Sequence, residues 1–378
     1  MNLPSPRTLI ALATLVLFCA VATLWYSSQP MWGALPSGTR LEEIKRSKNY
    51  VAGMFRNQIE TPMRTTDQSE WAMWVQTIFE TEGHPRPLGA LPTKKSDLRS
   101  LDIAQDVAVW LGHSSYYLQL NRRRILIDPV FSTNASPIPF TNTAFEGTSL
   151  YTADDIPEID FLLISHDHYD HLDYPTILAL KPKVRQVIVG LGVGAHFAAW
   201  GYDMQRVQEK DWNESIGAPS DLQIMVTPAR HFSGRTFTRD QSLWVGFALI
   251  SPSRRLFFSG DSGYAKHFEE IGQELGPFDW VALDSGQYDP RWANVHMNPE
   301  QAAQAATDLR ARVLTPEHVG RFSLAPHDWD DPFKRISIAS QGRGYELWTP
   351  EIGQPMYLDV RSNSFAPWWQ NVNGSGGL

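Results

Sequence analysis

Cysteine is nearly absent from this chain of 378 residues: Cys19 is the only one, and it lies in an apolar N-terminal run. Beyond that run no disulfide, thiolate metal site or cysteine nucleophile can form, so any metal must be held by His, Asp or Glu. Positive charge is also in deficit, with 33 Lys and Arg against 41 Asp and Glu and a net charge of −8. That balance excludes the basic stripe with which a protein tracks nucleic-acid phosphates. The one tight basic run, Arg122–Arg124 in "QLNRRRILID", sits between two strand-like segments and reads as a solvated hairpin turn. There is no fixed-period repeat and no low-complexity tract. The length suffices for one large core or two medium ones. The 14 tryptophans suit a large core or an amphipathic surface and alone decide nothing.

Long apolar runs are likewise missing, with one exception. From Thr8 to Tyr26 no charged residue occurs, which is the length of a membrane span. Arg7 precedes the run and the next basic residue is Arg40, so the expected topology puts the N-terminus inside and the body on the non-cytoplasmic side. The alternative is a signal peptide cleaved near Ala20-Val21-Ala22, leaving a secreted or periplasmic protein. Leu24-Trp25-Tyr26 prolong the run and set an aromatic pair at the interface, which favours an uncleaved anchor. Phe18 before Cys19 is too bulky for a lipoprotein signal.

The chain divides into residues 1–28 (membrane segment), 29–100 (linker and helical extension) and 101–378 (main domain). The linker "SSQPMWGALPSG" is rich in Pro, Gly and Ser. Apolar spacing predicts helices over 41–60, on Leu41, Ile44, Val51, Met54, Phe55 and Ile59, and over 69–80, on Trp71, Trp74, Val75, Ile78 and Phe79. These pack on the main domain or form an apolar entrance lip near the bilayer. From about Asp106 short strands dominate. "DVAVWLG", "SYYLQL" and "RILIDP" read as a meander, followed by "DFLLIS" and "RQVIVG" with helices between. A second strand group, "LQIMVTPA", "LWVGFALIS", "RRLFFSG", "WVALDSG" and "RVLTPEH", predicts two packed sheets with helices outside.

Against this scarcity, three of the 11 histidines crowd into "SHDHYDHLD". His166 and His168 alternate by two at the end of an apolar strand, so both rings leave it on one side. Asp170 and His171 on the following turn can face a second ion. Imidazoles and carboxylates without thiolates suit zinc, and also iron or manganese. Three more residues follow apolar strands: His231 in "VTPARHFSG", Asp261 in "LFFSGDSGY" and His318 in "VLTPEHVG". All can converge on one edge of the sandwich, and Asp261 can bridge two ions.

This pattern resembles the metallo-β-lactamase superfamily. "VWLGHSS", "LIDPVFS", "SHDHYDHLD", "FSGDSGY", "GQYDPRW" and "HMNPEQA" are more narrowly similar to the N-acylphosphatidylethanolamine-hydrolysing phospholipase D family, over roughly residues 85 to 350. The resemblance implies an α+β fold, an αββα sandwich with a binuclear zinc site at one edge. It implies that His166, His168 and His231 hold one ion, that Asp170, His171 and His318 hold the other, and that Asp261 bridges. Two ions sharing a water make a bridging hydroxide for attack on a phosphodiester, with Asp170 essential to turnover. His296 matches a family position and is a candidate to protonate the leaving alcohol or hold a phosphate oxygen, or it simply precedes the helix that starts at Asn298-Pro299. His113 is expected beneath the site, Asp128 in a turn and His327 at the rim. Where the family has His-Trp-Gly-Thr-Phe, this chain has "HVGRF", and Arg321 is a candidate anion clamp. The substrate implied is a phospholipid, with a lactone or another ester as the alternative, and a homodimer is plausible by resemblance. A non-catalytic, metal-stabilised binding protein is the reading from a different class, disfavoured by the complete ligand set.

Overall fold

A computed structural model describes residues 5–67, 69, 83–218, 220–235, 238–359 and 363–372. The first helix, α1 (Pro6–Ser27), starts with Ser5 accepting from the Thr8 amide and with Pro at its first turn. Not one of its residues is buried, and its most apolar stretch has a mean hydropathy of 2.3.

The Pro/Gly/Ser-rich segment after α1 is not a loose linker. Trp200 Nε1 donates to the Pro30 carbonyl at 2.8 Å and Arg235 Nη2 to that of Met31 at 2.7 Å. The Ala34 amide donates to His196 Nδ1 at 3.1 Å. Gly33 has φ +75, and a Cβ there would fall 2.1 Å from His196 Nδ1, so only glycine fits. The segment is a strap laid across the body.

Only the start of the helix expected over 41–60 is helical. The helix α2 (Gly38–Ile44) gives way to the hairpin β1 (Tyr50–Val51) and β2 (Met54–Phe55). Ala52 and Gly53 both have positive φ, the two-residue turn that matches strand twist. In the same apolar spacing, "VAGM" therefore turns the chain rather than coiling it. Of the helix expected over 69–80, all but Ser69 lies outside the described residues.

The body holds two seven-stranded sheets. One contains β3 (Val107–Gly112), β4 (Ser115–Leu120), β5 (Arg123–Ile127), β6 (Ile159–Ile164), β7 (Val184–Gly190) and β8 (Val207–Lys210) in that order. Its β4–β5 turn is Asn121-Arg122, both at positive φ, so the basic run is the hairpin turn expected. The other sheet runs in order through β9 (Ser215–Gly217), β10 (Gln223–Thr227), β11 (Gly246–Ile250), β12 (Arg255–Phe258), β13 (Trp280–Asp284), β14 (Val313–Glu317) and β15 (Glu346–Leu347). The last strand, β16 (Pro355–Tyr357), returns to pair with β3.

Alternation along each strand builds three apolar layers. Ala108, Trp110, Leu118 and Ile125 face Phe247, Leu249, Phe258 and Trp280 between the sheets. Val107, Val109 and Leu126 point the other way, under α3 (Tyr174–Leu180) and α4 (Gly194–Ala199). On the far side, Phe257, Val281 and Leu314 pack beneath α5 (His267–Leu275), α6 (Pro299–Asp308) and α7 (Asp331–Ala339). With both faces of both sheets buried, the strands read as continuous apolar runs. The result is the α+β, αββα sandwich expected.

Candidate metal centre

Every expected ligand sits just past the end of a strand, and all of these ends lie at one edge of the sandwich. His166 and His168 follow β6, Asp261 follows β12, His318 follows β14, and His231 lies beyond β10. Positive φ at two residues makes the sharp turns required: His318 has φ 63 and Gly260 has φ 55. A Cβ on Gly260 would come 2.8 Å from Ser165 Cβ and from the Val245 carbonyl, so glycine lets Asp261 approach the histidine loop.

Among the described residues three groups of donor atoms result, each with all members within 4.8 Å of one another: His166, His168, His231 and Asp261; His113, Asp170, His171 and His318; and, overlapping both, Asp261, Asp284, His296 and His318. Hydrogen bonds fix which nitrogen points inward. His231 Nδ1 donates to the Val295 carbonyl at 2.9 Å, His171 Nδ1 to Asp128 at 2.8 Å, and His166 Nδ1 to Ser165 Oγ at 2.9 Å. His318 Nδ1 faces Asp284 at 3.3 Å. Each therefore turns Nε2 to the centre, where His168 presents Nδ1. His166 Nε2 lies 2.9 Å and His231 Nε2 3.2 Å from His168 Nδ1, with lone pairs converging. Asp261 spans the groups, its Oδ1 3.1 Å from His171 Nε2 and its Oδ2 3.6 Å from His231 Nε2. His171 Nε2 and Asp261 Oδ1 are buried and face each other as an ion pair, but neither makes an aligned hydrogen bond. Buried polar atoms left this way incur a free-energy penalty that a cation at the centre relieves. The donor set fits divalent zinc, iron or manganese.

Charge in the site follows from burial and from these contacts. Burial and neighbouring imidazoles hold His166 and His231 well below the ordinary histidine range, so they are neutral lone-pair donors. Burial opposes charge on His318 too, but Asp261, Asp170 and Asp284 outweigh it and lift that ring to about 10. His171 is raised by Asp261 and Asp170 against the same burial. The paired carboxyls of Asp170 and Asp261 are held well below the usual range by these rings despite burial. Without metal the centre thus holds protons on His171 and His318, and a metal must displace them.

The supporting residues divide less evenly. His113, expected beneath the site, holds Asp170 Oδ2 at 2.9 Å. Asp128 does sit in a turn, at φ 42, but it also orients His171 and accepts from the Ser165 amide and hydroxyl at 2.8 and 2.5 Å. His296 lines the cavity over the centre and bonds Asp284 at 2.9 Å. It also precedes the capped start of α6 at Asn298. His327 stacks on Tyr288 at 4.4 Å and is not a lining residue. Arg321 is a correction. Its side chain is 1% exposed, with Nη1 and Nη2 turned to the carbonyls of Leu111 and Ser132, so it braces a loop instead of meeting a ligand.

The cavity above the centre, about 420 Å³, has His168, Asp170, Asp261, His296 and His318 in its wall. Its other lining residues include Arg64, Arg239 and Arg291, with Met63, Phe232, Trp292 and Leu324 as the apolar part. Sequence reasoning missed Asp284 and these arginines. Asp284 ends β13 as Asp261 follows β12, a strand-end signal that was open to use. The arginines come from three distant segments and share no spacing. Asn57 clasps His231 by both its amide and its carbonyl, at 3.0 and 2.8 Å, so the chain after β2 closes this wall.

Residues 123–319 match the beta-lactamase superfamily domain. An uncharacterised protein of Mycobacterium tuberculosis is 36% identical over 336 residues, 86% of this chain and 88% of that one. An N-acyl-phosphatidylethanolamine-hydrolyzing phospholipase D of Caenorhabditis elegans is 33% identical over 239 residues, 59% of this chain and 66% of that protein. Among solved structures, Igni18, a metallo hydrolase of the archaeon Ignicoccus hospitalis, has a TM-score of 0.51 at 19% identity, covering 68% of this chain and all of that one. The chain therefore belongs to the metallo-β-lactamase superfamily, as a metal-dependent hydrolase of the branch similar to the N-acyl-phosphatidylethanolamine-hydrolysing phospholipases D.

Proposed function

We propose that this protein is a membrane-tethered, two-zinc phosphodiesterase of the phospholipase D type, acting on N-acylphosphatidylethanolamine-like lipids. The observation that carries the reading is the cavity: Arg64, Arg239 and an apolar wall stand over a His/Asp centre, with Arg291 in the same wall held by Asp289, and this lining matches an anionic phosphodiester with greasy substituents. The named C. elegans relative points the same way. His166, His168 and His231 would hold one ion, Asp170, His171 and His318 the other, with Asp261 between. Two divalent ions so held supply acidification of a shared water and polarisation of the phosphoryl oxygens.

The chain's own residues do the rest. Asp170, steadied by His113, accepts the proton of the attacking water. The new bond joins that oxygen to phosphorus, and the bond from phosphorus to the N-acylethanolamine oxygen breaks. His296, oriented by Asp284, stands in the cavity wall to protonate the departing oxygen. Phosphatidic acid and N-acylethanolamine are the products. The exposed apolar α1 is the tether, with the body on the non-cytoplasmic side.

The test is to incubate the zinc-loaded full chain in detergent micelles with N-acylphosphatidylethanolamine and follow both products by mass spectrometry. Appearance of both, abolished by chelator and by Asp170→Asn, supports the reading. A verified two-metal preparation that yields neither product, or that opens lactones instead, overturns it.

A further inference from the structure

We propose that the loop Pro137-Ile138-Pro139-Phe140 is a wedge that enters the lipid bilayer beside the anchor helix. The inference rests on α1 being a membrane anchor. Phe140 is 95% exposed, more than any large apolar residue of α1, and Ile138 is 51% exposed. Isolated exposed side chains are common, but this loop has three further properties. From Pro129 to Phe145 the chain carries no charged residue, an unusual composition for a solvated loop. The Tyr26 hydroxyl, in the last turn of α1, donates to the Pro137 carbonyl, which sets the loop beside the end of the apolar helix. Arg86 donates to the Thr143 and Ala144 carbonyls, and two residues on, Leu88 is 75% exposed. Wherever α1 leaves the bilayer, these side chains stand next to it, at the level where aromatic rings partition.

The root of the loop ties this surface to the cavity. Val130 and Ala135 pack with Phe322 and Leu324, and Leu324 lines the cavity wall. Arg321 also belongs to this root, since its Nη2 donates to the Ser132 carbonyl. From the other side, Trp32 bridges Tyr26 and Tyr169 through edge contacts of 6.1 Å each. Tyr169 lies between the ligands His168 and Asp170. The anchor, the wedge and the catalytic mouth thus share one end of the molecule, and the occupant that the apolar tip fits is lipid acyl chain rather than a protein partner.

The single cysteine makes the test direct. The full chain carrying Cys19→Ala and Phe140→Cys is labelled with an environment-sensitive fluorophore and reconstituted in phosphatidylcholine–phosphatidylethanolamine vesicles. A second protein carries the label through Ile338→Cys, an exposed position on α7. Blue-shifted emission quenched by spin-labelled lipid at position 140 and not at 338 is expected. Ile138→Ser with Phe140→Ser should lower turnover of vesicle-borne substrate about ten-fold and leave turnover in micelles unchanged. Protein that resists carbonate extraction but keeps the position-140 probe in water overturns the wedge alone. Protein stripped by carbonate overturns the anchor, and the wedge with it.

Discussion

Asp128→Asn offers the sharpest test of how the centre is held. Asp128 is buried, and its Oδ2 accepts from His171 Nδ1 at 2.8 Å and from Ser165 Oγ at 2.5 Å. Ser165 Oγ in turn accepts from His166 Nδ1 at 2.9 Å, so one carboxylate orients an imidazole in each half of the centre. Asparagine has the same size and tolerates the positive φ of 42 at this position, so the backbone keeps its path and chiefly the charge is lost. Removing such a partner typically weakens metal affinity 10- to 100-fold, about 1.4 to 2.8 kcal/mol. The direct bond predicts the larger loss in the His171 half and the relay through serine a smaller one in the His166 half. Ser165→Ala should reproduce only the second. Competition against a chromogenic zinc chelator, resolved into two binding steps, reads both losses. Two unchanged affinities, with correct folding by circular dichroism, would refute the argument that Asp128 tunes the ligands.

Three further outcomes follow from the same structure. Burial, and next Arg230, hold His267 at about 3, so in the folded protein this ring stays neutral while the unfolded chain takes a proton below about 6.5. Stability is therefore lost as pH falls from about 6.5 towards 3, and urea midpoints at pH 7 and 5 should show His267→Gln spared about 2 kcal/mol of the wild-type loss; parallel curves would refute it. Gly260→Ala should cost about 1 to 3 kcal/mol and weaken metal binding, read by melting temperature and metal content, because its Cβ strikes Ser165 and the Val245 carbonyl. Arg239→Gln should raise KM for a phosphodiester about ten-fold with kcat within about two-fold; an unchanged KM would remove Arg239 from substrate binding.

The parts of this molecule that were legible in its sequence are those whose signal is local. His166, His168, Asp170 and His171 lie within six positions, and His231, Asp261 and His318 each follow an apolar strand. The sandwich was readable because its strands are buried on both faces and so stand out as unbroken apolar runs. The errors arose where tertiary contacts decide. Arg321 carried an anion-clamp reading by its place near His318, yet the chain turns it inward under the 131–145 loop. The stripe over Leu41 to Ile59 fits a helix as well as a hairpin, and Ala52-Gly53 breaks the tie only once a turn at positive φ is considered. The cavity's arginines at 64, 239 and 291 converge from three separate segments, which no spacing rule detects.

The strap between α1 and the body sets the enzyme's reach. Had residues 28 to 36 been a free leash, the catalytic mouth would sample a hemisphere of solution and could meet substrate on another surface. Instead Pro30, Met31 and Ala34 are each hydrogen-bonded to the body, and Trp32 is wedged against Tyr169. With α1 as the membrane tether proposed above, a body fastened in this way would ride at one height above its own leaflet. For the lipid substrate proposed above the pool would then be two-dimensional, and velocity should follow the mole fraction of lipid in that leaflet rather than the bulk concentration. When vesicles carrying the protein are mixed with vesicles carrying only substrate, hydrolysis should wait for lipid exchange or fusion.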